Sequence, residues 1–438
     1  MLSLLEFLDL SRTGQCAPTA AQSQALSTIK LNNERLHALR EWRHELHEPL
    51  AGALCGVTVT AKDNIAVNGM QTWAGSARAL PAHWAQSGRF VKRLQALGAV
   101  INSKSHCAEF ALGGSGYNPN QGTPVNPWSN DVELVPGGSS SGTAVAVASG
   151  MAMLGIGTDT GGSVRVPAAL CGCVGYRASL EHWPMDGIVP LLRRADTLGL
   201  MARTVNDLCY AVAAIDNQEQ IEPLPITETS VALWPLTLLE HCDDDRRRCF
   251  QETANALEQA GCTLVQADKQ AIDYAYSLLE GGPNSAAIEF AHFINEELAP
   301  WKPSLNPQVA AMVQQHEGYD TAALEARNNQ FLSLDEKREH FFNGADFVLS
   351  PTTGLAPPPI SALTSTEGYQ QYSNDLLHFT VMGSLYRCCG ISLPAGLDNR
   401  GLPMGIQLLA RPSQDRLLLA MSHSLQRLLP ATPMPPRA

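Results

Sequence analysis

The chain has 438 residues, 45% of them hydrophobic and 16% charged, which suffices for one large α/β domain or two ordinary ones with a sizeable core and excludes a disordered or fibrous protein. Against 30 Lys and Arg stand 42 Asp and Glu, for a formal net charge of −12 with no basic stretch to offset it. This argues against nucleic acid as a direct partner and for small neutral or organic substrates.

The first residues, MLSLLEFLDLSRTGQ, have apolar side chains but neither a basic n-region nor a small-residue cleavage site. They predict a first helix rather than a secretory signal. The longest weakly polar run, 143–158, is broken by glycines and too short to span a bilayer, so a cytoplasmic chain with no membrane segment is expected. Residues 18–46 lack internal proline and predict one or two helices, the segment of about 1–50 packing onto a single domain of 1–438. His44 and His47 in HELHE lack the HExxH spacing of a metal site and predict a surface helix. An exposed, alternating strand is expected at 57–61, which leaves Lys62 at a strand end. Phe90, Val91, Leu94 and Leu97 then repeat at helical spacing before Gly98, and 99–101 restarts as a short buried strand.

Residues 113–142 form a Gly, Ser, Asn and Pro-rich loop too long to be an idle connection. It ends in PGGSSSG, and a helix of small residues follows at 143–148. A strand at 151–156 delivers the chain to Thr158-Asp159-Thr160-Gly161-Gly162-Ser163. Farther on, helices are expected at 246–260 and 321–341, strands at 345–352, 390–394 and 405–409, and a last helix at 414–429. The charge cluster at 243–248 predicts a solvated helix face. The 11 cysteines are scattered, and neither close pair has zinc spacing, so reduced and mostly buried thiols are expected. Alternating helices and strands give an α/β class.

A strand-end lysine, a serine-rich helix start and a Gly-Gly-Ser turn are each weak signals alone. Together, PGGSSSGTAVAVASG, GTDTGGSVRVPAALCGCVGYR and GVTVTAKDNI closely resemble the amidase signature family of serine hydrolases. DFVLSPTT and ISLPAGLDNRGLPMGIQLLARP extend the resemblance over nearly the whole chain. It implies a large mixed β-sheet covered by helices on both faces, with no cofactor and no metal. It also implies Ser163 as nucleophile, Ser139 as a bridging serine held by a cis peptide, and Lys62 as base. The residue types suit that chemistry: a serine hydroxyl needs a base in contact, no histidine lies in either motif, and a lysine serves only when burial has lowered its pKa. The backbone N–H groups of Thr160, Gly161, Gly162 and Ser163 are expected to converge on the developing oxyanion, the glycines leaving it unobstructed.

Ser140 either helps to hold the lysine amine or caps the following helix. Asp159 and Arg165 flank the turn, as a bracing pair or as substrate contacts. The chain departs from the family's usual pattern at 175–179 (GYRAS) and 384–394 (SLYRCCGISLP), where Arg387 either lines the acyl pocket and binds a substrate carboxylate or points to solvent. The resemblance thus implies an amide hydrolase acting on a small molecule. The alternatives are the glutaminase-type component of a tRNA-dependent amidotransferase and a non-catalytic binding homologue. A homodimer is expected from the resemblance alone.

Overall fold

The computed structural model describes residues 2–436. Eleven strands are β1 (Leu39–Trp42), β2 (Thr58–Lys62), β3 (Val100–Ser105), β4 (Leu154–Asp159), β5 (Val174–Arg177), β6 (Thr197–Ala202), β7 (Ser230–Leu233), β8 (Thr263–Gln266), β9 (Phe347–Pro351), β10 (Cys389–Leu397) and β11 (Pro403–Ala410). They form one sheet in the order β1-β3-β2-β4-β6-β5-β10-β11-β9-β7-β8. β2 runs parallel to β3 and β4, and β7 runs parallel to β8 and β9, while the pairs between β4 and β9 are antiparallel, so the sheet is mixed.

Helices pack against it. Leu4–Arg12 opens with a capping box between Ser3 and Glu6 and buries Leu4, Phe7 and Leu8, and Asp207 accepts a hydrogen bond from Leu5 N. The fully buried helix Arg165–Cys171 lies on β5, β10 and β11.

Four expectations need correction. The strand at 57–61 is not exposed: every residue of β2 is buried, because a parallel strand between two others in a covered sheet is enclosed on both faces. The helix does not reach residue 46. It is Ala20–Leu36, stopped by left-handed His37, and residues 39–42 pair antiparallel with β3 as an edge strand, leaving His44 and His47 in irregular chain beyond it. Asn33 bonds both Leu39 N and Leu39 O, fixing that turn. The strand expected at 151–156 is displaced to 154–159, so Thr158 and Asp159 belong to it. Lastly, the helix Asp244–Gln259 is not solvated at Arg246, which is 2% exposed and pairs with Asp243 at 2.8 Å and Asp398 at 3.4 Å beneath the β10–β11 turn.

All 11 cysteines are free, nine of them buried. Among the described residues no helix is long and apolar enough to cross a membrane.

Parallel alignment of β2 and β4, with Ala61 opposite Ile156, brings the C-terminal ends of both strands to one edge of the sheet. Such an edge is where α/β sheets present reactive groups.

Candidate active site

Lys62 closes β2 with no exposed surface. Its Nζ donates to Ser139 Oγ at 2.7 Å, to Thr158 Oγ1 at 2.8 Å and to Thr158 O at 3.4 Å. No carboxylate pairs with it among the described residues. Burial outweighs the more distant pull of Cys107, Asp196 and Asp159, and brings the amine down to about 8. Lys104, opposite Ala61 on β3, is equally buried but has Asp63 at 3.4 Å and accepting oxygens from Ile65 and Thr72. Of two enclosed lysines on neighbouring strands, Lys62 is the one without a carboxylate.

Ser139 follows a cis Gly138–Ser139 peptide. Its carbonyl accepts from Ala108 N at 3.1 Å, and the next residue's amide, Ser140 N, donates to Ser163 O at 3.0 Å. The serine cluster is thereby fastened through the backbone to the turn that carries Ser163. Among the described residues no hydrogen bond joins the Ser139 and Ser163 hydroxyls. Ser140 takes neither role expected of it. It stands at the N-terminal end of the helix Ser141–Ala148 without a side-chain cap, and its Oγ donates to Thr158 O at 3.3 Å, the carbonyl that Lys62 also contacts.

After β4 the chain turns through Thr160, Gly161 and Gly162 to Ser163. Gly162 has φ +137, and a Cβ there would collide with Thr380 Oγ1, whose hydroxyl donates to Gly161 O at 2.8 Å. Gly161, in contrast, has open space around the place its Cβ would take. Gly162 is therefore the glycine the fold requires, whereas Gly161 keeps free space beside the turn. The N–H groups of Thr160, Gly161, Gly162 and Ser163 have no acceptor among the described residues.

Asp159 and Arg165 are a bracing pair. Asp159 Oδ2 accepts from Val164 N at 3.2 Å and Arg165 Nε at 3.1 Å, and Oδ1 accepts from Arg165 Nη2 at 2.9 Å and Arg177 Nη1 at 3.2 Å. Burial alone would raise this carboxyl, but the two arginines overcome it and hold Asp159 far below the usual carboxylate range. Arg165 also reaches Thr380 O and Gln407 Oε1, each at 2.9 Å, and lies wholly within the protein. Arg177, at one of the departures from the family pattern, is the second cation of this brace.

A cavity of about 470 Å³ includes Thr160, Gly161 and Ser163 in its lining, together with Arg194, Tyr276, Phe331 and Val381. Arg387 is not part of that lining. Its side chain is 40% exposed, bonds Asp335 at 3.2 Å and borders a neighbouring cavity of about 500 Å³ that shares Arg194 with the first. Of the two places left open for it, the partly exposed one is observed and the acyl pocket is not. The short helix Thr380–Leu385 ends just before Arg387, whose side chain pairs with Asp335 instead.

Sequence reasoning passed over Thr158, Arg177 and Asp196. Thr158 supplies two contacts to Lys62, and its Oγ1 accepts from Asn64 at 3.2 Å as well. Asp196 accepts from Thr160 Oγ1 at 2.6 Å and from the amides of Leu191 and Leu192 at 2.8 and 3.0 Å. Only Thr158 left a local trace, as a hydroxyl residue at the end of an apolar strand.

Several known proteins are similar to this chain along most of its length. The chain is 34% identical over 382 residues to the 2-amino-5-chloromuconic acid deaminase of Comamonas testosteroni, covering 86% of this chain and 82% of that protein. It is 31% identical over 399 residues to the indoleacetamide hydrolase of Rhizobium radiobacter, covering 85% and 83%. A crystal structure of an amidase superposes with a TM-score of 0.85 at 26% identity, over 98% of this chain and all of that one. The Amidase family pattern matches residues 16–419, and agreement over that much of the sequence makes the chain a member of the Amidase family.

Proposed function

We propose that the chain hydrolyses a small carboxylic amide to the acid and ammonia through an acyl-enzyme on Ser163. Neutral Lys62 takes the Ser139 proton as Ser139 takes that of Ser163, and Ser163 Oγ attacks the amide carbonyl. The free N–H groups of Thr160, Gly161, Gly162 and Ser163 receive the oxyanion, where each such donor is worth roughly 3 to 4 kcal/mol of barrier. Collapse breaks the C–N bond as the proton returns through Ser139 to the nitrogen, and ammonia departs. Water, deprotonated by the same relay, then attacks the acyl carbonyl and releases the acid and the Ser163 hydroxyl.

The observation that carries this reading is Lys62 itself, enclosed without a carboxylate and bonded to Ser139 at 2.7 Å. A purely structural lysine in such a place would have a partner like that of Lys104. The deaminase relative, named for action on a small organic acid, and the hydrolase relative, named for a small amide, support a small non-peptide substrate. A panel of aryl, alkyl and acidic amides, with glutamine included, tests the proposal by ammonia release. Turnover of small amides by the isolated chain, lost in Ser163→Ala, is expected. Activity confined to glutamine and dependent on added partner proteins would instead favour the glutaminase-type reading. No turnover of any amide would favour a non-catalytic homologue.

A further inference from the structure

The cavity that Ser163 lines holds an arginine with no anion to match it. Arg194 is half-buried, its Nε is enclosed with no hydrogen-bond partner, and it makes no ion pair among the described residues. Its guanidinium lies against the Phe331 ring, whose centroid is 4.5 Å from Cζ. Arg327 approaches the same ring at 4.6 Å but is fully employed, donating to Pro283 O, Leu278 O, Leu279 O and Gln330 Oε1.

Nearby acids are taken as well. Glu289 is held by Arg193, Asp335 by Arg338 and Arg387, and Asp196 by Thr160 and two backbone amides. The acid among the cavity's lining residues, Glu280, is exposed. Contact with an aromatic face only partly offsets the cost of enclosing a guanidinium, so a cation kept in this state is ready for a ligand. Burial, together with the like charge of Arg387, lowers Arg194 to about 10, which leaves it protonated at neutral pH.

Its position is also tied to the reaction centre. Asp196, two residues on, accepts from Thr160 at 2.6 Å, and Ala195 O accepts from Arg177 at 3.1 Å. The loop carrying Arg194 is therefore latched both to the residue that begins the nucleophile turn and to the brace beneath it.

We infer that Arg194 is a specificity-determining residue that binds a carboxylate at the far end of the acyl group, so that the preferred substrate is the half-amide of a dicarboxylic acid. This rests on the proposed amide hydrolysis. Arg194 takes no part in bond breaking: its fork of N–H donors orients the acyl chain while Ser163 attacks the other end.

The test pairs succinamate, glutaramate and adipamate with their neutral methyl esters and with pentanamide. Wild-type kcat/KM is expected to favour at least one half-amide over its ester by about 30-fold or more, the scale of a desolvated charge pair. Arg194→Met should abolish that ratio while turnover of pentanamide stays within about threefold, which also shows that the variant folds; Arg194→Lys should recover part of the ratio. Calorimetry on Ser163→Ala should show half-amide binding that is lost in Ser163→Ala/Arg194→Met. Equal losses on acidic and neutral amides, or no preference for any acid over its ester, would overturn the assignment. Binding that depends on Arg194 without ammonia release from any amide would sink the hydrolase reading and leave the anion site standing.

Discussion

Raising the pH across the neutral range should switch the enzyme on through one group. Lys62 has its amine lowered from 10.5 to about 8. Near pH 7 an ordinary lysine is neutral about three times in 10,000, whereas one titrating near 8 is neutral about one time in ten, so burial raises the population of the neutral amine, the proposed base, about 300-fold. The kcat/KM for a neutral amide, which has no titrating group of its own, should climb about tenfold per pH unit below about pH 8 and level off above it. Initial rates of ammonia release between about pH 6 and about pH 10 measure this directly. Thr158→Val sharpens the assignment. Its Oγ1 accepts from Lys62 and so favours the charged amine; removing it should move the limb to lower pH while reducing the plateau, because the amine loses an orienting contact. A profile flat through pH 8, or one that does not move in Thr158→Val, would refute the assignment of the base.

Stability should respond in the opposite sense to activity when Lys62 is removed. The native amine binds protons less well than the unfolded one, so wild-type stability rises with pH between about 8 and about 10.5, by up to about 3 kcal/mol. Lys62→Met should abolish turnover yet be about 1–3 kcal/mol more stable near pH 7, an advantage that disappears above about pH 10.5 and is measured by urea denaturation. Asp159→Asn should cost about 3–5 kcal/mol, since it leaves two buried arginines without their counter-charge. Gly162→Ala should lower kcat by at least about 100-fold and destabilise the fold through Thr380, whereas Gly161→Ala should fold normally, with thermal melts and steady-state rates separating the two.

The nucleophile turn, the serine cluster and the strand-end lysine were legible because each is a local pattern, glycines and serines at short spacing beside an apolar run. The β-sheet's long-range pairings were less so. Residues 39–42 have helix-forming composition and became a strand only because β3 offers an unpaired edge and Asn33 fixes the turn before it. Likewise Arg246 reads as surface charge until Asp398, 152 positions away, closes over it. Arg194 lies in LLRRAD, which carries no local signal, and the loop's attachment to Thr160 through Asp196 places it in the lining of the cavity that Ser163 also lines. For Arg387 the exchange from the family pattern was visible, but the partner that decides between pocket and solvent, Asp335, was not.

Which oxygen becomes acylated, and which group removes its proton, decides the mechanism. Rapid quenching of the enzyme with an activated anilide, followed by peptide mapping, should find the acyl group on Ser163, with its rate of appearance near pH 7 reduced at least about 1,000-fold in both Ser139→Ala and Lys62→Met. An adduct on another residue, or undiminished acylation in either variant, would contradict it.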